Sequence, residues 1–467
     1  MNLFIKAHPY HYEAENLCRV FFPFDRVTTV RGDAEYEAQS RNVYTEIRPG
    51  GEPYFVRVED ESGARTMTGE KQADDEYGLM ALLFKALSAH TGKVPRWGML
   101  TGIHPIKLLR QLTEKFGSEE ANRLFREKYF VSEEKAAIAS RTLASQLPVT
   151  NDVGENDFSL YISVPFCPTR CAYCSFVSQS VEKAKKQIPE YHKLMLEEIR
   201  ETAAIANGLG LTLRSVYVGG GTPTTFSAEQ LFDMIAVVRE VFDLSHCGEF
   251  TVEAGRPDTV DREKLTALLK GGVTRISINP QTLQDNVLEN IGRRHTAQQT
   301  VDAFRLARET GHKNINMDLI VGLPGDTFES FCDTIEKVLA LDPENVTVHS
   351  LALKRSSFIT QSGEVNRAHE DALLADRMMA YAERRLTESG YEPYYLYRQS
   401  RMAGNLENTG WAKPGCVCAY NIFTMDETET VLACGAGGVS KLKDPYSETL
   451  SRIFNFKYSY EYISRYG

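Results

Sequence analysis

Nothing in the 467 residues approaches the run of about twenty apolar side chains that a membrane-spanning helix needs. The first residues, Met1 to Tyr12, lack the basic start and long apolar centre of a secretory leader. Cysteine is sparse: nine thiols in a chain of this length are not a disulfide-stapled scaffold, and they point to a reducing, cytoplasmic setting. Excess positive charge is also missing. Lys and Arg number 53 against 63 Asp and Glu, a net charge of −10, which is the wrong general field for a nonspecific nucleic-acid binder. Local basic clusters, Arg293-Arg294-His295 and Lys354-Arg355, could still meet the carboxylates of a small ligand. What is present is globular composition, 42% hydrophobic and 25% charged, with length for two or three domains.

The few cysteines are bunched. Cys167, Cys171 and Cys174 fall within eight residues of the stretch Tyr161 to Cys174, close enough for three thiols to reach one metal centre. A structural zinc site is closed by four protein ligands, whereas an iron–sulfur cube held by three cysteines keeps one iron free for chemistry. The run Leu160 to Val164 is apolar and β-prone, which puts the thiols on a loop leaving a buried strand, with Pro165 and Pro168 favouring that exit. Half of a zinc site completed by a distant ligand is the competing reading, although the doubled C-x2-C spacing usual for zinc is absent.

Before this stretch, short apolar runs at Leu3-Phe4-Ile5, Val20-Phe21-Phe22 and Tyr54 to Val58 read as a small sheet. Turn signals lie at Arg31-Gly32-Asp33 and Pro49-Gly50-Gly51. From Asp75 to Gln146 the period becomes helical, with Leu79, Leu82, Leu83 and Leu87 on one stripe and Leu108, Leu109 and Leu112 on another. An α+β domain is expected over residues 1–150, with a polar linker from Val149 to Asp157. It shows neither metal-ligand spacing nor a nucleotide-binding loop, and His8, His11, His90 and His104 read as structural.

After the cysteine loop, strands and helices alternate. Strands are predicted at 160–164, 215–218, 249–253, 273–278, 314–320 and 345–349, with helices between them and a long helix over 370–388. Such alternation means parallel strands joined by right-handed crossovers. About six units fall short of the eight in a closed barrel, so the fold class is α/β: a partial (β/α)6 barrel over 151–390, with a C-terminal cap or substrate region over 391–467. Working groups in such folds collect on the loops after the strands. Val218 to Thr224, with three consecutive glycines, lies there, and so do Glu253, able to pair with an ammonium, and Asn279-Pro280-Gln281. Arg293 could clamp a carboxylate. Asp318 stands in an otherwise apolar strand and needs a partner, either a ribose diol or a neighbouring loop.

The C-x3-C-x2-C spacing, with the aromatic Tyr173 before the last cysteine, resembles the signature of the radical SAM superfamily. With Gly219 to Thr224, Glu253, Arg275 to Gln281, Ile291-Gly292-Arg293 and Asn316 to Gly325, it resembles the oxygen-independent coproporphyrinogen III dehydrogenase-like family. The nearest pattern is its HemZ-type branch, through Ser277 to Gln281, Tyr395 to Gln399 and Asn405 to Asn408. The resemblance covers about residues 155–460. It implies that Cys167, Cys171 and Cys174 bind a 4Fe-4S cluster whose fourth iron chelates S-adenosylmethionine. Tyr161, Tyr173, Gly220 and Glu253 are then cofactor-binding positions. Gly221, Thr222, Gln281, Arg293, Asp318 and Ala352 match those that contact a second S-adenosylmethionine in the dehydrogenase, giving one or two such molecules. The implied chemistry is a 5'-deoxyadenosyl radical that removes hydrogen from propionate side chains, which lose carbon dioxide to become vinyl groups in haem biosynthesis. The implied partners are a tetrapyrrole substrate or haem and a low-potential donor such as flavodoxin or ferredoxin. One position departs: where the dehydrogenase motif carries a fourth cysteine stands Phe176, which resembles the pattern in relatives that act as haem chaperones or are uncharacterised.

The C-terminal region is rich in tyrosine, with Tyr391, Tyr394, Tyr395, Tyr397 and Tyr420 beside Trp411. It reads either as an aromatic surface able to stack a tetrapyrrole or as a packed cap. Asn421-Ile422-Phe423 and Val431 to Cys434 read as strands. Cys416, Cys418 and Cys434 form a poor metal template and read as structural thiols.

Overall fold

The computed structural model describes residues 1–467 except 24, 33–36, 38, 175, 352–371, 400–404, 448 and 467. Ala352 and the Lys354-Arg355 pair therefore lie outside the described residues. The chain forms two compact units, Met1–Ser140 with Arg398–Leu406, and Arg141–Tyr397 with Glu407–Gly467.

The first unit contains β1 (Asn2–Lys6), α1 (His11–Phe21), β2 (Thr28–Arg31), β3 (Asn42–Ile47), β4 (Tyr54–Asp60), β5 (Gly63–Gly69), α2 (Asp75–Thr91), α3 (Pro105–Phe116) and α4 (Ser118–Glu127). It also holds the start of α5 (Glu133–Thr150). Its sheet runs β2-β1-β3-β4-β5, with β1 parallel to both neighbours and the last three strands antiparallel. Alternation decides its buried face: Tyr54, Val56 and Val58 of β4 join Leu17 and Phe21 of α1 and Leu79, Leu83 and Leu87 of α2 in one core. Val20-Phe21-Phe22, expected as a strand, lies instead at the end of α1. Buried Ala14, Leu17, Cys18 and Phe21 recur at helical spacing, and that periodicity outweighs the local β propensity of the run. The His8 ring meets Thr45, and His90 Nε2 lies 3.1 Å from Asp60.

The second unit begins with β6 (Asp157–Val164), β7 (Phe166–Cys167), β8 (Gln179–Ser180), α6 (Val181–Ala184) and α7 (Ile188–Gly208). It continues with β9 (Thr212–Gly220), α8 (Ala228–Val241), β10 (Glu249–Glu253), α9 (Arg262–Gly271), β11 (Arg275–Ser277), α10 (Asp285–Asn290) and α11 (Ala297–Thr310). Then come β12 (Ile315–Val321), α12 (Phe328–Leu341), β13 (Asn345–Ser350) and a helix over Ala372–Glu388. The last part holds β14 (Glu392–Arg398), β15 (Glu407–Ala412), a helix over Ala419–Asp426, β16 (Thr430–Cys434), β17 (Val439–Lys443), β18 (Leu450–Phe454) and a helix over Ser459–Tyr466.

Its sheet runs β14-β15-β13-β12-β11-β10-β9-β6-β16-β17-β18. The six expected strands, β6, β9, β10, β11, β12 and β13, are consecutive parallel neighbours. The C-terminal segment adds strands at both edges: β16 lies parallel to β6, and β15 lies antiparallel to β13. Apolar residues such as Leu160, Ile162, Val216, Val218, Val252, Ile276, Leu319 and Val348 are buried. The residues between them are polar and bond to one another across the strands, as Tyr217 does to Glu253 and Thr347 to Asn316.

Two expectations in the C-terminal region need correction or a choice. Asn421-Ile422-Phe423 belongs to the helix Ala419–Asp426, where Tyr420, Ile422, Phe423 and Asp426 are buried. Tyr391, Tyr394, Tyr395 and Trp411 are buried, as in a packed cap, and Tyr391 donates its hydroxyl to Pro343 O at 2.5 Å. The other cysteines do not gather: Cys418 Sγ donates to Glu249 Oε1 at 3.0 Å, while Cys434 Sγ meets Thr202 Oγ1 at 3.3 Å.

Candidate active site

The three clustered thiols sit just beyond β6, all half-buried. Short backbone pairing of β7 with β8 closes the base of their loop. The loops after the next strands hold the rest. Thr222 N donates to Phe166 O at 2.7 Å, Ala172 N donates to Ile291 O at 3.0 Å, and Thr169 Oγ1 donates to Gly292 O at 3.0 Å. Donors also face the sulfurs, with Thr222 Oγ1 at 3.6 Å from Cys167 Sγ and Arg256 Nη1 at 3.8 Å from Cys171 Sγ. Burial raises the Cys167 thiol and pushes that of Cys174 up to about 11, so without a metal both stay protonated at neutral pH; coordination would strip the proton.

Local packing by itself requires glycine in the turn after β9. A Cβ at Gly221 would lie 2.6 Å from Phe166 O and 2.7 Å from Val164 O, and Gly220 holds φ +99° beside Ser163 Oγ and Tyr161 OH. Gly221 N donates to Val164 O at 2.9 Å. The turn is glycine because the backbone of the cysteine loop passes against it, and the amides of Gly221 and Thr222 are spent on that loop.

Glu253 ends β10. Its Oε1 accepts from Tyr217 OH at 2.7 Å, and no cationic side chain pairs with it among the described residues. Burial pushes its carboxyl up to about 7, partly offset by the Tyr217 bond and reinforced by the charge of Asp318. Tyr161, Tyr217 and Tyr420 stack beside it, Tyr217 and Tyr420 with centroids 4.5 Å apart.

The remaining positions are bonded into one group. Arg293 is buried and donates from Nη1 to Asn279 O at 2.7 Å and from Nη2 to Tyr173 OH at 3.2 Å, while its Nε has no partner among the described residues. Gln281 adopts φ +66°, unusual for a side-chain-bearing residue, and its N donates to Asp318 O at 2.8 Å. Asp318 finds its partner on its own strand: Asn316 Nδ2 donates to Oδ1 at 2.7 Å, and Asn316 Oδ1 in turn accepts from Thr347. The structure thus brings Cys167, Cys171, Cys174, Tyr161, Tyr173, Gly220, Gly221, Thr222, Glu253, Gln281, Arg293 and Asp318 to the same strand ends; Ala352 lies outside the described residues.

Sequence reasoning missed Tyr217, Asn279 as an acceptor, Asn316, and above all Arg256. Asn316 had a signal, a polar residue alternating inside a strand, and Asn279 stood in a loop already singled out, whereas Tyr217 between two valines reads as part of an apolar strand. Arg256 had none, being a lone arginine three residues past a strand.

A model of the radical SAM superfamily matches residues 161–338. The chain is 37% identical over 388 residues, 81% of its length and 76% of the other's, to the oxygen-independent coproporphyrinogen-III oxidase-like protein HemZ of Bacillus subtilis (strain 168). It is 36% identical over 212 residues to the heme chaperone HemW of the same organism, covering 45% of this chain and 55% of that one. The solved structure of the Escherichia coli coproporphyrinogen III oxidase HemN, a radical SAM enzyme, matches with a TM-score of 0.54 at 23% identity, over 68% of this chain and 72% of that one, a likeness of fold.

The superfamily's cofactors are a 4Fe-4S cluster and S-adenosylmethionine, and the residues present fit both. Among the described residues no three His, Cys, Asp or Glu side chains converge on a single ion, whereas a cube gives each of three thiolates its own iron. Donors face the sulfurs, and among the described residues the buried Glu253 carboxyl has no cation and Arg293 Nε no acceptor. By sequence along four-fifths of its length and by the fold of its parallel sheet, the chain belongs to the radical SAM family of HemZ-type, oxygen-independent coproporphyrinogen-III oxidase-like proteins.

Proposed function

We propose that this protein is a cytoplasmic radical SAM oxidoreductase of haem biosynthesis, converting propionate side chains of a coproporphyrinogen-type substrate to vinyl groups by oxidative decarboxylation. One observation carries the radical chemistry: three half-buried thiols and an uncompensated carboxyl, Glu253, meet at one set of strand ends. The substrate class rests on what the HemZ and HemN relatives are named for.

In this reading Cys167, Cys171 and Cys174 hold the cluster. Glu253 takes the ammonium of S-adenosylmethionine, with Tyr161, Tyr173 and Gly220 around that molecule. Gly221, Thr222, Gln281, Arg293 and Asp318 are assigned to a second one. Bound together, cluster and S-adenosylmethionine supply a 5'-deoxyadenosyl radical for hydrogen abstraction. The chain's own contribution is orientation and exclusion of water, for which the stacked rings of Tyr161, Tyr217 and Tyr420 are suited. A flavodoxin or ferredoxin is the proposed electron source.

The test is anaerobic incubation of reconstituted protein with dithionite, S-adenosylmethionine and coproporphyrinogen III. 5'-Deoxyadenosine and a vinyl porphyrin product should appear together, and both should vanish in Cys171→Ala. 5'-Deoxyadenosine without vinyl product removes the substrate assignment. A second reading, haem delivery without decarboxylation, is favoured by Phe176, which is 66% exposed where the dehydrogenase motif has a cysteine, and by the relatives named heme chaperone HemW. Stoichiometric haem binding with no vinyl product would select it.

A further inference from the structure

Arg256 enters none of the assignments above, yet its guanidinium is aimed at the cysteine loop. We propose that Arg256 is a positioning residue for the iron–sulfur centre: by donating to the sulfur of Cys171 it stabilises the more negative, reduced cluster and raises its reduction potential.

The side chain is buried, with 4% of its surface exposed, and it is fixed along its whole length. Nε and Nη2 form a fork on Asp258, at 3.1 Å to Oδ1 and 3.2 Å to Oδ2. Nη2 also donates to Thr169 Oγ1 at 3.1 Å, which leaves Nη1 to face Thr169 O at 3.4 Å and Cys171 Sγ at 3.8 Å. The backbone is pinned as well. Arg256 O accepts from Thr259 Oγ1 at 2.8 Å, and that hydroxyl is 2.6 Å from Thr224 Oγ1.

Behind the pair, buried His295 places Nδ1 3.7 Å from Asp258 Oδ1. Burial favours the protonated acid at Asp258, but His295 and the charge of Arg256 outweigh it and hold the carboxyl well below the usual range. Asp258 is thus a permanent anion that orients the fork and offsets its charge. What remains for Cys171 is a directed N–H dipole in a poorly solvated place. Hydrogen bonds to cluster sulfurs are among the influences that set such potentials, and a donor outside the ligand set acts through the ligand it touches. The neutral hydroxyl of Thr222, 3.6 Å from Cys167 Sγ, is the weaker counterpart. Arginine suits this position where lysine would not, since one planar group must serve Asp258, Thr169 and Cys171 at once.

The inference rests on the cluster reading, and the experiment separates the two. The full chain and its Arg256→Leu variant are reconstituted anaerobically, iron and sulfide per chain are measured, and the cluster is titrated with dithionite while its paramagnetic resonance is followed. With iron content equal to wild type, Arg256→Leu should show about tenfold less reduced cluster at a fixed potential, a downward shift of about 59 mV for a one-electron couple. An unshifted potential and unaltered resonance in a cluster-replete variant overturn the proposal alone. Should Arg256→Leu fail to take up iron, Arg256→Gln, which keeps a polar partner for Asp258 and Thr169, is judged by the same criterion. Absence of a cluster in the wild-type chain overturns both readings.

Discussion

Glu253 carries a carboxyl that titrates at about 7 because burial costs the charged form more than the Tyr217 hydrogen bond returns. The sign of its pH dependence follows. Below that value the side chain is mostly neutral and offers nothing to an ammonium; above it the carboxylate is available. Affinity for S-adenosylmethionine in the cluster-loaded protein should therefore rise between about pH 6 and about pH 7.5. Glu253→Gln should bind it about 10- to 100-fold more weakly, the worth of one hydrogen bond to a charged group, and should lose that pH dependence. Equilibrium dialysis at two pH values measures both, and a pH-independent wild-type affinity would remove Glu253 from the ammonium site. Glu253 was legible in the sequence as an acid at a strand end. Tyr217, the residue that bonds it, was not, because a tyrosine between two valines reads as part of an apolar strand.

The cysteine loop is an element whose shape is dictated by its neighbours. Gly221 leaves space for Phe166 and Val164, and adding a methyl group there places a carbon 2.6 Å from a carbonyl oxygen of the loop. Gly221→Ala should cut iron uptake to a small fraction of wild type, whereas Gly208→Ala, where nothing lies within 4 Å, should leave it unchanged. Equal iron contents would mean that the turn does not shape the loop. At the opposite ends of the strands a second anchor stands. Arg275, at the start of β11, donates to Glu249 Oε2 at 3.2 Å, to the side chains of Asn314 and Asn345, and to the carbonyls of Cys416 and Val417 at 3.0 and 2.8 Å. Removing one member of such a buried group costs about 3–5 kcal/mol, so Arg275→Met should unfold at markedly lower urea concentration. An unchanged midpoint would contradict this. Arg275 could be read only as part of a motif; its distance from the thiols follows from strand direction. Helices and strands with clear periods were legible here. Residues 421–423 were not, since three apolar or polar residues in a row fit either period until Tyr420, Phe423 and Asp426 are seen to bury at helical three-residue spacing.

At the scale of the molecule, the six parallel strands could be predicted because each is followed by a helix with its own apolar stripe. The edge strands could not, since β15 and β16 join the sheet from a segment whose composition says only that it is aromatic. The sheet's polar alternate residues pair along and across the strands beside the thiol loop, Tyr217 with Glu253 and Asn316 with Asp318 and Thr347, and this makes the chain more than a scaffold for a cluster. Whether the site works on a propionate side chain is tested most directly by deuterium transfer. Coproporphyrinogen III deuterated at the β-carbon of its propionates is incubated anaerobically with reduced, reconstituted protein and S-adenosylmethionine, and the recovered 5'-deoxyadenosine is weighed by mass spectrometry. Deuterium in the 5'-deoxyadenosine, accompanied by vinyl product, is the predicted result. 5'-Deoxyadenosine that carries no deuterium, with the porphyrinogen recovered intact, would contradict it.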